Sequence, residues 1–257
     1  VILVTLMTVN NETGMIQPVV PAYDIVKTYN KEHGTNIVFH TDAVQAFGKM
    51  NLRNVPFDII TISGHKVHAP KGVGAMYMKS GLKLPTFIPG GGQESGYRSG
   101  TENTHGIAGL GLATELAYDN LTEKQELLAT LNNRLREGII SELDDIIVNG
   151  TTETGFEISD YGKRCPSVLN ISFLGSRGEV ILHTLEQEEI YVSTGSACSS
   201  HKNSDSHVLA AMGLGHKEIE GAIRFSISEF NTLEEMDEAA AKVSEAVKRF
   251  RRLGSFR

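Results

Sequence analysis

The stretch Phe57-Asp-Ile-Ile-Thr-Ile-Ser63, which runs directly into Gly64-His-Lys66, decides the fold of this chain. Its apolar residues form a short run bounded by polar residues and glycine, and such a run predicts a buried β-strand. The predicted strand ends in a serine, a histidine and a lysine. Because open α/β sheets bind ligands beyond the carboxyl ends of their strands, this junction is a candidate functional site.

The rest of the first half of the chain has the same organisation. Apolar runs are each followed by polar residues, and Thr41-Asp42 follows one of them. Strands that alternate with helices are typical of an α/β protein with a mainly parallel sheet. The other predicted elements are strands at 1–9, 36–40 and 74–78 and helices at 18–33 and 104–118.

The second half of the chain changes character. A long helix at 122–142 leads into segments in which strands and helices alternate irregularly, which predicts a smaller α+β domain. We therefore divide the chain into a partial large domain at 1–120 and a small C-terminal domain at 121–257. The predicted elements of the small domain are strands near 145–148, 166–173, 190–193 and 222–228 and helices near 178–188, 206–212 and 232–252.

Composition narrows the function classes. The net charge of -7 provides no basic field for a nucleic acid. No apolar run reaches the roughly 18 residues that a membrane span needs, so we expect no membrane partner. Two cysteines in 257 residues make no disulfide framework, which favours the cytoplasm. The first residues lack a basic region and a cleavage site, so we expect no signal peptide.

One of the two cysteines occupies an unusual setting. Cys198 lies in Tyr191-Val-Ser-Thr-Gly-Ser-Ala-Cys-Ser-Ser-His201, where its neighbours are small and polar. Free cysteines are normally buried as small hydrophobic residues. A thiol that water can reach risks oxidation without adding stability, so a reactive role explains this position better.

Two interpretations of the role of each residue are open for Lys66, Asp42 and Gln45. A lysine after a strand is ordinarily a surface residue, an aspartate can cap a loop, and a glutamine can be a plain surface amide. Alternatively, Lys66 is a Schiff-base lysine and Asp42 keeps the pyridine nitrogen of pyridoxal phosphate protonated. Gln45 would then donate to the phenolic oxygen of that cofactor.

Six segments in register carry a family resemblance. The chain resembles the cysteine desulfurases of the NifS/IscS kind, within the class V aminotransferase family. The resemblance spans essentially the whole chain but corresponds to the later two-thirds of the family, without its N-terminal third. The segments are Val9-Asn-Asn-Glu-Thr-Gly14, His40-Thr-Asp-Ala-Val-Gln45, Ser63-Gly-His-Lys66, Arg98-Ser-Gly-Thr101, Gly195-Ser-Ala-Cys198 and Ile223-Arg-Phe-Ser226.

The resemblance implies a pyridoxal phosphate-dependent transferase of fold type I and a role for each matching residue. Lys66 would bind the cofactor covalently and move protons at the substrate Cα, and Cys198 would be the nucleophile. Arg224 would bind the substrate carboxylate, although its strand could simply alternate inward and outward. The other implied cofactor contacts are Asn11, which is also a substrate contact, Asp42, Gln45, Ser63, His65 and, from the neighbouring subunit of a homodimer, Thr101.

The implied reaction converts L-cysteine to L-alanine and leaves the sulfur as a persulfide on Cys198. A sulfur-acceptor protein, such as an iron-sulfur scaffold, would take it for iron-sulfur cluster or thio-cofactor synthesis. Two other hypotheses stay open. One is a different class V reaction, such as selenocysteine lysis or transamination. The other is a fragment that acts only as a binding module, because the family's N-terminal cofactor-binding loop has no counterpart in this chain.

Other candidate sites are weaker. Cys165 precedes a proline and a strand, so we predict a structural role. The pairs His65–His68 and Cys198–His201 each offer two metal ligands without a second pair, so we predict no metal.

Overall fold

The computed structural model describes residues 1–53, 55–195 and 205–254. They form two compact units, and each is built around its own sheet. The first unit comprises Val1–Val9, Gln17–Leu121 and Glu157–Ser159, and the second comprises Asn10–Ile16, Thr122–Phe156 and Asp160–Arg257. The sequence-based division placed Asn10–Ile16 with the first domain, whereas its contacts place it in the second unit.

The elements of the first unit are β1 (Leu3–Met7), α1 (Val19–His33), β2 (Val38–Asp42), β3 (Ile59–Ser63), β4 (Gly74–Met78) and α2 (Thr104–Tyr118). The four strands form one sheet in the order β1-β2-β3-β4. The first three strands are parallel, and the fourth is antiparallel to β3. Short 3-10 helices at Gly64–Val67 and Glu94–Gly96 follow β3 and β4.

Aromatic residues hold α1 against this sheet. The Tyr23 ring meets those of Phe39 and Phe57 edge-on, with centroids 5.7 and 5.6 Å away. Such edge-to-face pairs add to the free energy gained by apolar burial. Val19 and Val26 complete the buried cluster, which fixes α1 along β2.

The elements of the second unit are α3 (Leu121–Glu142), β5 (Ile146–Val148), β6 (Val168–Phe173), α4 (Gly178–Glu186), α5 (His207–Ala211), α6 (His216–Glu220), β7 (Ala222–Ser226) and α7 (Leu233–Gly254). Its three strands form an antiparallel sheet in the order β5-β6-β7. One apolar core joins β6 and β7 to α3, α4 and α7. On α7 the buried residues Met236, Ala239, Ala240, Val243 and Val247 recur at helical spacing, so one face of the helix packs inward.

Two sequence-based expectations differ from the structure. The strand predicted near 190–193 is wrong: the segment meets the sheet only at Ser193, which forms one antiparallel bridge with Arg224. Glu189 has a φ of 59°, so the backbone turns before an extended ladder can form. The short helix α6 was not predicted, because five residues carry too little periodicity. Within the described ranges, no helix has the length and apolar character needed to cross a bilayer.

Candidate active site

The carboxyl edge of the first sheet gathers polar side chains from two parallel strands. Asp42 is the last residue of β2 and Ser63 is the last residue of β3. In the register of these strands, Asp42 stands opposite Thr61, two residues before Ser63. Because parallel strands end at the same edge, Asp42 and Ser63 both lie at that edge.

Asp42 is fixed by its backbone as well as its side chain. Its carbonyl oxygen accepts a hydrogen bond from the Thr8 N–H at 2.8 Å, and the Thr61 carbonyl accepts one from Ala43 at 2.9 Å. The carboxylate Oδ1 accepts from the Val44 N–H at 2.9 Å. The aspartate is therefore a loop cap, as one interpretation of the sequence required. The cap uses Oδ1, so the carboxylate also keeps acceptor capacity for a ligand.

Gln45 lies in the turn that this cap begins. The turn is closed by Ala46 and Phe47 N–H groups donating to the Ala43 carbonyl at 3.0 and 2.8 Å. Gly48 ends it with a φ of 73°, and a Cβ at this position would lie 2.6 Å from a methyl carbon of Val67. Only glycine allows the turn to pass that close to the segment carrying Lys66.

Lys66 is the third residue of the 3-10 helix that follows β3, and it is half-buried. Its neighbour Val67 is buried against Leu110 and Ala117 of α2. Apolar packing of Val67 against α2 therefore holds the backbone around the lysine in place. A short, packed helix directs the lysine amine more narrowly than an open loop would.

Ser63 and His65 form a polar pair beside Lys66. The Ser63 hydroxyl lies 2.8 Å from Nδ1 of His65. Burial lowers the pKa of His65, and the positive charges of Lys66, Lys71 and Lys49 lower it further. These effects identify a positively charged region at the carboxyl edge of the sheet, which suits an anionic ligand group.

Thr101 lies apart from this group in the loop that precedes α2. It is exposed. In the same loop Gly100 donates to the Gln93 side chain at 3.1 Å, and the Arg98 guanidinium donates to the Gly100 carbonyl at 2.9 Å. The threonine is thus presented on an ordered surface loop of the first unit. Its contact with a neighbouring subunit stays a prediction.

The second unit carries the predicted substrate residues Asn11 and Arg224. The Arg224 Nη1 donates to the Asn11 carbonyl at 3.1 Å. The Asn11 turn is itself closed by Asn10, whose Oδ1 accepts from the N–H groups of Glu12 and Thr13 at 2.9 and 3.0 Å. Arg224 is half-buried in β7, paired with Asn170 of β6. This position is compatible with both interpretations of Arg224 from the sequence. One is a strand residue that simply follows the inward and outward alternation, and the other is a residue that binds the substrate carboxylate.

The two cysteines differ in what the structure describes. Cys165 is fully buried, and its Sγ lies 3.4 Å from the Ser167 hydroxyl. Cys198, the predicted nucleophile, lies outside the described residues, as does His201. In the described part of the chain, no group of three or more His, Cys, Asp or Glu side chains is arranged to hold a metal ion.

Two side chains near the site were missed by the sequence analysis. His40 links three strands: its Nδ1 lies 2.6 Å from the Thr5 hydroxyl and its Nε2 lies 3.0 Å from the Thr61 hydroxyl. Glu12 is buried, and its carboxylate accepts from the Ser206 hydroxyl at 2.6 Å. Both residues lie inside segments that carry the family resemblance, His40 to Gln45 and Val9 to Gly14. Their membership of these segments was the signal in the sequence that could have identified them.

The fold and its polar edge define a class of α/β proteins with an amine and a carboxylate after the ends of neighbouring strands. Comparison with known proteins gives the family: the chain belongs to the class-V aminotransferases, whose family pattern matches residues 1–238. It is 41% identical over 254 residues to a cysteine desulfurase IscS of Clostridium botulinum. The alignment covers 98% of this chain and 61% of that protein. The resemblance predicted from the six segments is therefore confirmed.

Solved structures agree with this assignment. A NifS-like protein superposes with a TM-score of 0.81 at 36% identity and covers 96% of this chain and 61% of that one. SspA in complex with cysteine superposes with a TM-score of 0.65 at 32% identity and covers 90% of this chain and 60% of that one. The predicted fold class is confirmed. The chain spans about three fifths of the length of these relatives.

Pyridoxal phosphate is the cofactor of this family, and the donors of the first unit fit it. The Asp42 carboxylate suits a protonated pyridine nitrogen, and the Lys66 amine suits an aldehyde. The Ser63–His65 pair lies among three lysine charges, which suits a phosphate group. These residues supply the charges and hydrogen-bonding groups that suit the pyridine nitrogen, the aldehyde and the phosphate of the cofactor.

Proposed function

We propose that the protein is a pyridoxal phosphate-dependent cysteine desulfurase that converts L-cysteine to L-alanine and carries the sulfur as a persulfide on Cys198. The observation that supports the proposal is that Asp42 ends β2 while Ser63, His65 and Lys66 lie at and just after the end of the neighbouring parallel strand β3. The homology to proteins named cysteine desulfurase supports the choice of substrate.

When bound, the cofactor would supply an electron sink for the substrate's Cα. Asp42 would hold its protonated pyridine nitrogen, and Ser63 and His65 would bind its phosphate. Lys66 takes the proton from Cα and returns one later, a role that suits an amine on a packed 3-10 helix. Gln45, in the turn beside Asp42, donates to the phenolic oxygen.

Arg224 and Asn11 bind the substrate carboxylate in this proposal. The planar guanidinium offers a fork of donors that matches a carboxylate. Its Nη1 bond to the Asn11 carbonyl supports the proposal, because a guanidinium tied at one nitrogen loses less freedom when its remaining donors meet a ligand.

Cys198 attacks the substrate sulfur as a thiolate. A sulfur–sulfur bond forms while the bond between Cβ and sulfur breaks, and the carbon keeps the electron pair and takes up a proton. An unperturbed thiol is a few per cent ionised at neutral pH, so it is already a competent nucleophile. The proposal includes a homodimer with Thr101 at the shared site, a cytoplasmic location, and a sulfur-acceptor protein such as an iron-sulfur scaffold.

The test is an assay of the purified protein supplied with pyridoxal phosphate, L-cysteine and a dithiol, which reduces the Cys198 persulfide to the free thiol and sulfide and is itself oxidised to a disulfide. A visible absorption band from Lys66-bound cofactor and the release of equal amounts of alanine and sulfide are expected. Cys198→Ser should keep the absorption band and lose sulfide release. Sulfide release at the wild-type rate by Cys198→Ser would overturn the nucleophile assignment. Activity with selenocysteine but not cysteine would favour a selenocysteine lyase.

A further inference from the structure

Glu12 is a buried acidic residue that the proposed reaction does not use. It is only 2% exposed, and it lies directly after Asn11, a proposed substrate ligand. Burying a carboxyl group costs free energy unless hydrogen bonds replace those that it makes with water. The position of Glu12 therefore calls for a specific partner inside the protein.

That partner is Ser206, the N-cap residue of α5. The Ser206 hydroxyl donates a hydrogen bond of 2.6 Å to Oε2 of Glu12, although the two residues lie 194 positions apart in the chain. Hydrogen bonds from a hydroxyl to a carboxylate are short, about 2.5–2.7 Å, and stronger than those between neutral groups. The bond therefore ties the turn that carries Asn11 to the start of α5.

The main chain of Glu12 is fixed independently of this bond. Its N–H donates to Asn10 Oδ1 at 2.9 Å, and its carbonyl accepts from Asn170 Nδ2 at 3.0 Å. Asn170 is fully buried in β6, where it is paired with Arg224 of β7. Because the backbone of Glu12 is attached to the sheet, its carboxyl group can hold Ser206 in place.

Ser206 connects Glu12 to the backbone of α5. Its hydroxyl also accepts from the Leu209 N–H at 3.2 Å, and its carbonyl accepts from the Ala210 N–H at 2.9 Å. Leu209 is fully buried, so the helix is packed as well as capped. The single hydroxyl of Ser206 therefore serves both the cap of α5 and the bond to Glu12.

The chain on both sides of Cys198 is attached to the part of the second unit that carries the proposed substrate residues. Ser193, five residues before Cys198, exchanges two main-chain hydrogen bonds with Arg224, at 3.1 and 2.7 Å. Ser206, eight residues after Cys198, bonds to Glu12. Two groups on one chain react at a rate that depends on where their segments are attached, because attachment sets their effective concentration.

We propose that Glu12 is a positioning residue for sulfur transfer. Through Ser206, its carboxyl group holds the chain that follows Cys198 at the turn that carries Asn11. The inference rests on the proposed function, since it requires Cys198 to be the nucleophile. Glu12 acts on the rate at which Cys198 takes the sulfur and leaves the binding of the amino acid unchanged.

Two replacements of Ser206 separate the bond to Glu12 from the helix cap. Ser206→Asp keeps a side chain that caps a helix, but an ionised aspartate cannot donate to Glu12. Its kcat for alanine release in the dithiol assay should fall at least about tenfold. Ser206→Thr keeps both the cap and the donor, so its kcat should stay near the wild-type value. An equal loss of kcat in the two variants would show that the bond is not the cause and refute the proposal.

Glu12→Gln tests the carboxyl group itself. Glutamine can still accept from Ser206, but a bond to a neutral acceptor is weaker, so kcat should fall about fivefold. KM for L-cysteine should stay the same. The dissociation constant for L-alanine, which has the same carboxylate and no sulfur, should also stay the same in a titration followed by cofactor absorption. Glu186→Gln makes the same change on an exposed residue of α4 and should keep the wild-type kcat.

The outcomes distinguish this inference from the proposed function. Alanine release by the wild type, together with wild-type kcat in both Ser206→Asp and Glu12→Gln, would refute the role of Glu12 alone. Weaker L-alanine binding at unchanged kcat in Glu12→Gln would also refute it, because Glu12 would then serve only the turn that carries Asn11. A wild-type protein that releases no alanine from L-cysteine would overturn the proposed function and this inference with it.

Discussion

The Nη1 of Arg224 donates a hydrogen bond of 3.1 Å to the main-chain carbonyl of Asn11, a residue 213 positions earlier in the chain. The bond ties the turn at Asn10–Ile16 to β7 within one compact unit. Both residues belong to segments that resemble the desulfurase family. Their contact shows that the two segments form one local structure.

Replacing Arg224 with lysine tests its proposed role as the carboxylate ligand. Arg224→Lys keeps the charge and loses the fork of donors, so KM for L-cysteine should rise about tenfold or more. The pyridoxal phosphate absorption should stay the same. Arg252→Lys, an exposed replacement on α7, is the matched control. An unchanged KM in Arg224→Lys would leave the arginine with a structural role only.

Asp42→Asn separates the charge of Asp42 from its capping bond. Asparagine retains an oxygen that can accept from the Val44 N–H, so the turn and the melting temperature should be preserved. The loss of the negative charge should lower kcat about 100-fold. Asp42→Ala removes the cap as well, and it should lower the melting temperature in addition. Wild-type kcat in Asp42→Asn would contradict the pairing of this carboxylate with the cofactor.

His40 should make the stability of the protein dependent on pH. Burial lowers the pKa of His40 in the folded state, against an opposing effect of Asp42. The unfolded chain therefore binds a proton first as pH falls, and stability is lost below about pH 6.5, the ordinary histidine value. The free energy of unfolding, measured by chemical denaturation between about pH 7.5 and 5, should fall less steeply with decreasing pH in His40→Gln than in the wild type. His33→Gln, on the exposed end of α1, should keep the wild-type slope.

Arg164 is a buried cation whose charge costs stability. It is fully buried, its Nη2 donates to Asn132 Oδ1 at 2.8 Å, and its Nε and Nη1 have no partner. Burial, with a contribution from Arg136, lowers the pKa of Arg164 to about 10. A shift of that size costs roughly 3 kcal/mol while the group is charged. Removing the guanidinium takes this donor from the fully buried Asn132 Oδ1, which costs about 1–3 kcal/mol.

Arg164→Met should therefore not lower the free energy of unfolding near neutral pH and should raise it by up to about 2 kcal/mol. Because the folded-state pKa is the lower one, the wild type gains stability as pH rises through about 10, and the difference from Arg164→Met should shrink there. Arg164→Lys keeps a buried charge without the fork and should destabilise. Destabilisation by methionine to the same extent as by lysine would show that shape, not charge, governs this position.

The sequence was a good guide to the first unit because local patterns there coincide with the tertiary arrangement. The run Phe57–Ser63 predicted β3, and the polar residues after it lie at the carboxyl edge as expected. Parallel strands make this inference reliable, since their ends must share an edge. The prediction of a strand at 190–193 was wrong because the pattern of apolar residues does not reveal the positive φ of Glu189 or the single bridge at Ser193.

Residue identity and order by themselves determined the family, the α/β class and the short list of chemical groups, because motif spacing and apolar periodicity are written in the chain. Only the tertiary structure decided that Asn11 is held by Arg224, that His40 joins three strands, and that the Ser176 hydroxyl is buried without a hydrogen-bond partner. Those relationships join residues far apart in sequence, and burial depends on what packs around a side chain.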